Sequence, residues 1–176
     1  MLRTRTKQQE PDTAELFTAA YREFAGPLTG YLRARGVDDP EGVTQDVFLA
    51  LYPRLADAHG GMPGIRTLLF TIAHARTVDH HRATARRPLH VEYDPDGDRR
   101  TVESAEDQVV AARSSAVAAL ATLEDDHRDV LALRIVADLP LEETARVMGR
   151  SVGAVKQLQR RALIALRGRV AEEVLV

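Results

Sequence analysis

Between Arg146 and Arg169 every charged side chain is basic, whereas the stretch from Glu124 to Glu143 is mainly acidic. Cations gathered on one helix can meet phosphates and donate to base edges, so this segregation points to nucleic acid although the net charge is only −2. At about 100° per residue, Lys156, Gln157, Arg160, Ile164 and Arg167 fall on one side of such a helix, and Val155, Leu158, Ala162 and Leu166 on the other. The plainer alternative is a solvated arginine-rich face on the last helix of a bundle, where cations are favoured near the C-terminus in any case.

A second group of chemistry-bearing residues is His74, Asp79, His80 and His81. Metal ligands on one helix need i,i+3 or i,i+4 spacing, and at those offsets His74 is followed by Thr77 and Val78. His74 and His81 are two turns apart, about 10 Å along the axis, too far for one ion. Solvated or phosphate-facing histidines fit this spacing better. With no cysteine, disulfides and thiolate zinc sites are ruled out. No nucleophile elbow or phosphate loop stands elsewhere, so neither an enzyme nor a cofactor is expected.

The basic helix needs a partner, and the preceding residues supply it. The residues before Gly149 read as a short helix opening at Pro140, with Glu142 and Glu143 in its positive first turn and Leu141, Ala145 and Met148 facing inward. Ala145 is small enough for a second helix to cross closely, Gly149 suits a turn with positive φ, and Ser151 caps the next helix. Together these make a helix-turn-helix.

Upstream, Asp12 with Glu15 has the form of a capping box, and an apolar stripe from Leu16 to Leu32 predicts a helix over about 13–35, bent or divided at Gly26-Pro27 and ended by Gly36. Asp39-Pro40-Glu41 starts a second helix, EGVTQDVFLALYPRL. Its stripe of Val43, Val47, Phe48, Leu51, Tyr52 and Leu55 should face the core and leave Gln45, Asp46 and Leu49 outside. An exposed leucine beside two polar residues suits a docking surface. Ala58 to Gly64 is expected as a loop from its glycine and proline content. IRTLLFTIAHARTVDHHRATARR follows as a third helix, stopped by Pro88. Leu89 to Gln108 holds seven carboxylates against two arginines and little apolar content, as an acidic linker would. Val109–Leu123 and Asp126–Ala137 are apolar helical patterns leading into the helix-turn-helix.

The 176 residues, 44% apolar and 28% charged, therefore suggest an all-α chain of two small helical domains joined by a flexible acidic linker, the second carrying the helix-turn-helix. The expected divisions are a disordered tail at 1–11, a first domain at 12–88, the linker at 89–108, a second domain at 109–170 and a C-terminal tail at 171–176. No apolar run approaches the roughly 20 residues needed to span a bilayer, and the polar start has no signal-peptide core. A cytoplasmic location without membrane insertion is expected.

Three stretches resemble one family, the small extracytoplasmic-function (group IV) class of bacterial RNA polymerase sigma factors. VTQDVFLALYPRL resembles its core-polymerase-binding helix, IRTLLFTIAHARTVDHHRATARRP its minus-10 promoter helix, and DDHRDVLALRIVADLPLEETARVMGRSVGAVKQLQRRALIALR its minus-35-binding domain. The resemblance implies a transcription initiation factor that binds core RNA polymerase, recognises minus-10 and minus-35 elements and assists promoter melting. It places Gln45, Asp46 and Leu49 against the clamp helices of the largest polymerase subunit, with further contact to the flap region. It places His59, Gly60, Gly61 and Met62 at the capture of an unstacked minus-10 base, with Arg66, Arg76, His80 and Arg82 on the adjoining helix. Arg150, Ser151, Lys156, Gln157, Arg160 and Arg161 fall at the minus-35 element. It also implies an inhibitory anti-sigma protein, and a linker whose carboxylates stand in for RNA phosphates in a positively charged channel. The chain departs from the family in having Leu68 and Ala75 where tryptophan and asparagine are usual, and Leu158-Gln159 for a frequent arginine-leucine pair. The competing reading is a free-standing helix-turn-helix regulator, which leaves the basic helix after the glycine-rich segment unexplained.

Overall fold

A computed structural model describes the backbone of residues 12–85 and 116–174, with side chains as far as 81 and 169 in the two stretches. The expected tail at 1–11, the end of the first domain with its stop at Pro88, the acidic linker at 89–108, residues 109–115 and the last two residues lie outside the described residues. All regular structure among the described residues is helical.

The first helix, α1 (Thr13–Ala34), runs through Pro27 without dividing, and it buries Ala20, Phe24, Leu28, Tyr31 and Leu32. Asp12 precedes it, but its side chain makes no capping hydrogen bond, so the capping box read from the sequence is not formed. At the other end Gly36 takes a left-handed φ of 71°. The N–H groups of Gly36 and Val37 turn back to the carbonyls of Arg33 and Leu32 at 2.9 and 3.1 Å, satisfying acceptors that a helix end leaves open.

The second helix, α2 (Pro40–Leu51), starts as its sequence predicts, with Asp39 accepting from the Gly42 N–H at 2.8 Å. It ends in a 3-10 turn at Tyr52–Arg54. Val47, Phe48, Leu51 and Leu55 are buried, but Tyr52 is 48% exposed, against its expected place in the core. There it stacks edge-on with Phe17, which also meets Phe48.

The third helix, α3 (Gly61–Ala85), begins earlier than expected: Gly61 to Gly64 form its first turn instead of a loop. Helix N-termini tolerate this composition because a first-turn proline has no N–H to satisfy. Gly64 is also required by space, since a Cβ there would lie 1.9 Å from the His59 carbonyl oxygen.

The second stretch opens with a helical turn, α4 (residues 116–121), and α5 (Asp125–Leu131). Arg128 of α5 reaches back to the carbonyls of Leu120, Ala121 and Leu123 at 3.1, 2.6 and 2.9 Å, tying α4 down. The helix expected to continue to Ala137 instead widens into a π turn at Ala132–Val136, closed by the Ala137 N–H on the Ala132 carbonyl. Helices α6 (Leu141–Met148) and α7 (Val152–Val174) complete the described residues, α7 running on through 171–174 where a C-terminal tail is expected. Its core, which includes Leu28, Leu32, Phe48, Leu69, Phe70, Leu131, Leu133 and Val155, runs without a break through both stretches.

Candidate nucleic-acid interface

The turn between α6 and α7 is built from backbone geometry and one side-chain cap. Gly149 is left-handed at φ 61° and ψ 33°, and the Arg150 N–H bonds to the Ala145 carbonyl at 3.0 Å. A side chain at Gly149 would be strained whatever the space around it. Ser151 then accepts from the Ala154 N–H at 3.2 Å and starts α7. Pro140 sits one position earlier than expected, as the residue before the helix and not its first member.

Packing orients α7. Val155, Leu158 and Ala162 are buried against the rest of the unit, and Lys156, Gln157, Arg160 and Arg161 are all exposed. Lys156, Arg160 and Arg161 form no ion pair among the described residues, so their charge is available to an external anion. Arg150, by contrast, pairs with Asp126 at 2.6 Å. Gln159 accepts from the Arg134 Nε–H at 3.3 Å, and Arg134 also donates to the Leu139 carbonyl, fastening the π turn to the recognition helix. On α6 the inward face is broader than expected: Ala145 is buried and Leu141 and Met148 pack half-buried against the core, but Glu143, Thr144 and Val147 are buried as well.

On the first stretch Gln45, Asp46 and Leu49 all lie on the outer face of α2, with Leu49 69% exposed. Two half-exposed tyrosines, Tyr21 and Tyr52, flank the same end of the helix, with Tyr21 4.8 Å from Phe48 between ring centres. At the start of α3, His59, Gly60 and Gly61 are exposed and Met62 is half-buried.

The basic residues assigned to α3 do not form one patch. Arg76 leans toward α2 and pairs with Asp46 at 3.2 Å, so a candidate DNA contact touches a candidate polymerase contact. His80 lies beside Arg76 around a shallow cavity of about 210 Å³ and meets the His81 ring. Arg82 is on the helix, but its side chain lies outside the described residues. Arg66 points the other way, to α6, where Glu143 takes both its Nε–H and an Nη2–H at 2.9 Å. That contact holds the guanidinium's pKa above its ordinary value.

Sequence reasoning missed a buried polar cluster between the two stretches. Arg35, 1% exposed at the end of α1, lies 2.6 Å through Nε from Asp129 of α5. The N–H is not aligned on that oxygen, so charge more than hydrogen bonding holds the pair. Arg35 also donates to the Asp125 carbonyl at 3.4 Å. His74 Nδ1 is 3.6 Å from the same Asp129 oxygen and 3.2 Å from the Tyr31 hydroxyl. Burial, helped by Asp125 and Asp126, pushes the Asp129 carboxyl up to about 6 against the pull of Arg35. Burial and the Arg35 charge hold His74 down to about 4, so the imidazole is neutral. Burial also raises the Tyr31 hydroxyl. No local periodicity marks such a cluster; only Arg35 immediately before a helix-ending glycine stands out, and that signal is generic. Among the described residues no group of three or more histidine or acidic side chains could hold a metal ion, and no helix is long and apolar enough to cross a membrane.

Comparison with known proteins fits this geometry. The family "Sigma-70, region 4" matches residues 119–168, which hold α5 to the greater part of α7. The ECF RNA polymerase sigma factor ShbA of Streptomyces griseus is 34% identical over 135 residues, covering 72% of this chain and 69% of that protein. The ECF RNA polymerase sigma factor BldN of Streptomyces coelicolor is 31% identical over 155 residues, covering 85% of this chain; the chain spans 58% of that longer relative. In fold the chain resembles the solved structure of CnrH in complex with the cytosolic domain of CnrY, with a TM-score of 0.66 at 23% identity, over 91% of this chain and 95% of that one.

Proposed function

Because the chain belongs to the extracytoplasmic-function class of RNA polymerase sigma factors, we propose the following division of labour for its promoter-specific initiation. Leu49, framed by Gln45 and Asp46, docks on the clamp helices of core polymerase, and the helix-turn-helix unit reaches the flap region and the minus-35 element. A solvent-exposed leucine on an otherwise polar helix face offers apolar area that docking would remove from water. Family membership sets aside the free-standing regulator.

The observation that carries the DNA assignment is the stripe of Lys156, Gln157, Arg160 and Arg161. It is exposed, without internal carboxylate partners among the described residues, and held outward by Val155, Leu158 and Ala162. Arg150 and Ser151 stand at the start of this surface, where a helix N-terminus favours a phosphate. Each cation that meets a phosphate steepens the salt dependence, by about 0.9 in the logarithmic slope. On the first unit, His59, Gly60, Gly61 and Met62 border the minus-10 base, and Arg66, Arg76, His80 and Arg82 of the adjoining helix supply further minus-10 contacts, Arg66 and Arg76 only by giving up their carboxylate partners Glu143 and Asp46. Extruding one base costs a few kcal/mol, which phosphate contacts offset. All of these roles are binding roles; no bond-breaking step is assigned to the chain. CnrH is in complex with the cytosolic domain of CnrY, and an inhibitory anti-sigma protein covering the Leu49 face is proposed here too, with the factor acting in the cytoplasm.

Arg160→Ala tests the assignment: promoter binding should weaken by about 10-fold, corresponding to the 1–3 kcal/mol of a good base contact, while binding to core polymerase is unchanged. Equal loss of both would refute it.

A further inference from the structure

A glycine weakens the helix that holds it, because it loses the most backbone freedom on folding and packs no side chain, so a helical glycine needs a reason. Most glycines of the described residues have one within the chain. Gly36, Gly60, Gly61 and Gly149 take a positive φ, and a Cβ at Gly30, Gly42 or Gly64 would come within 3.2 Å or less of a neighbouring atom. Gly26 stands before Pro27, whose ring crowds any Cβ on the residue ahead of it. Gly153 has no such reason. It is exposed in the first turn of α7, its φ is not positive, and beyond its own turn nothing lies within 4 Å of where a Cβ would stand.

Its place on the helix supplies the reason from outside. Lys156, Gln157 and Arg160 follow Gly153 at i+3, i+4 and i+7, so the four share one face, and all are exposed. The buried Val155, Leu158 and Ala162 hold the opposite side against the core. Val152 and Ala154, to either side of Gly153, carry Cβ atoms; the centre of the face at its leading end carries none.

Resting on the minus-35 reading of this face, we propose that Gly153 sets the depth at which α7 enters the major groove, and so is a specificity-determining residue whose missing side chain lets Gln157 and Arg160 reach base edges. A recognition helix meets the bases with its N-terminal residues. The groove is about 12 Å wide and about 8.5 Å deep, and a helix with its side chains is about 10–12 Å across, so little slack remains. A Cβ would add a bond of about 1.5 Å to the leading face. Hydrogen bonds reach only to about 3.2 Å between heavy atoms, so a helix held out by about 1 Å loses those made by a short side chain such as Gln157. Lys156 and Arg161, on long flexible stems, still meet phosphates at the rim. Depth therefore governs sequence readout and leaves the salt-dependent part of the affinity in place.

The test is equilibrium binding of holoenzyme, assembled from core polymerase and the full chain. Its two ligands are a promoter fragment selected with the wild-type chain and the same fragment with the minus-35 element scrambled. In Gly153→Ala the affinity for the selected fragment should fall about 10-fold, the equivalent of one good base contact. The scrambled fragment should bind within about twofold of wild type and with the same salt slope. The urea midpoint of the free variant should be no lower than that of wild type and should rise by up to about 0.3 M, since alanine restricts the unfolded chain. Gly168→Ala, at an equally open and exposed position about 22 Å further along α7, should leave both affinities unchanged. An unchanged affinity of Gly153→Ala for the selected fragment overturns the inference, as do equal losses on both fragments, a lowered urea midpoint, or the same loss in Gly168→Ala. A wild-type holoenzyme that does not distinguish the two fragments refutes the minus-35 reading itself, and the inference with it.

Discussion

Replacing Asp129 by alanine isolates the buried pair between α1 and α5. Arg35 is 1% exposed and Asp129 4% exposed, so neither charge is replaced by bulk water when its partner goes. The guanidinium would keep the Asp125 carbonyl at 3.4 Å and the Asp125 carboxylate at 3.9 Å, the latter largely solvated. Removing one member of a buried pair costs about 3–5 kcal/mol, and the residual Asp125 contacts place this case at the low end, about 3 kcal/mol. With a urea slope of about 2.5 kcal/mol/M, the midpoint should fall by about 1.2 M. Because the chain has no tryptophan, unfolding is best followed by far-ultraviolet circular dichroism. Replacing both partners, Arg35→Met with Asp129→Leu, removes the orphaned charge and should restore stability to within about 1 kcal/mol of wild type. A single variant within about 0.5 kcal/mol of wild type, or a double variant no better than the single, would refute the reasoning.

The same cluster sets a pH signature. Between about pH 4 and 6 the unfolded pair carries its one proton on His74 and the folded pair carries one on Asp129, so wild-type stability gains no slope from them. In Asp129→Asn only the depressed histidine remains, and stability should fall as pH drops from 6.5 toward 4, by up to about 1.4 kcal/mol per pH unit. In His74→Gln only the raised carboxyl remains, and stability should instead rise as pH falls from 6 toward 4; slopes of the same sign in the two variants, measured by urea titration, would contradict the pKa directions. Gly64→Ala puts a Cβ 1.9 Å from the His59 carbonyl, so the segment before α3 must move. Expected are a loss of about 1–3 kcal/mol in stability and a larger defect in promoter opening than in core binding, read by permanganate footprinting; intact opening would count against a role for that segment.

Much of this architecture is legible because its signals are local. Asp39-Pro40 and Gly149 followed by Ser151 mark helix ends through hydrogen bonds made within three or four residues, and each such bond is present. The outward placement of Leu49 and of the Lys156 to Arg161 stripe follows from periodicity for the same reason. What escapes is decided by partners distant in sequence. Glu143 reads as an ordinary first-turn acid, yet it is buried because Arg66, 77 residues earlier, neutralises it. Tyr52 reads as core, yet the aromatic cluster with Phe17 covers only one side of it. The π turn at Ala132–Val136 replaces an ordinary helical stretch, and the chain then turns through Asp138 at φ 49°. Composition misled at Gly61 to Gly64, where glycine and proline stand in the one part of a helix that accepts them.

The most direct measurement is co-elution of the purified full chain with bacterial core RNA polymerase on a sizing column, alongside Leu49→Asp. Stable co-elution of the wild type, and its loss in a variant whose helical content is unchanged, is the predicted result. A folded wild type that does not bind core polymerase, or a variant that binds it equally well, would contradict the assignment of Leu49 as the docking anchor and of the chain as an initiation factor working through it.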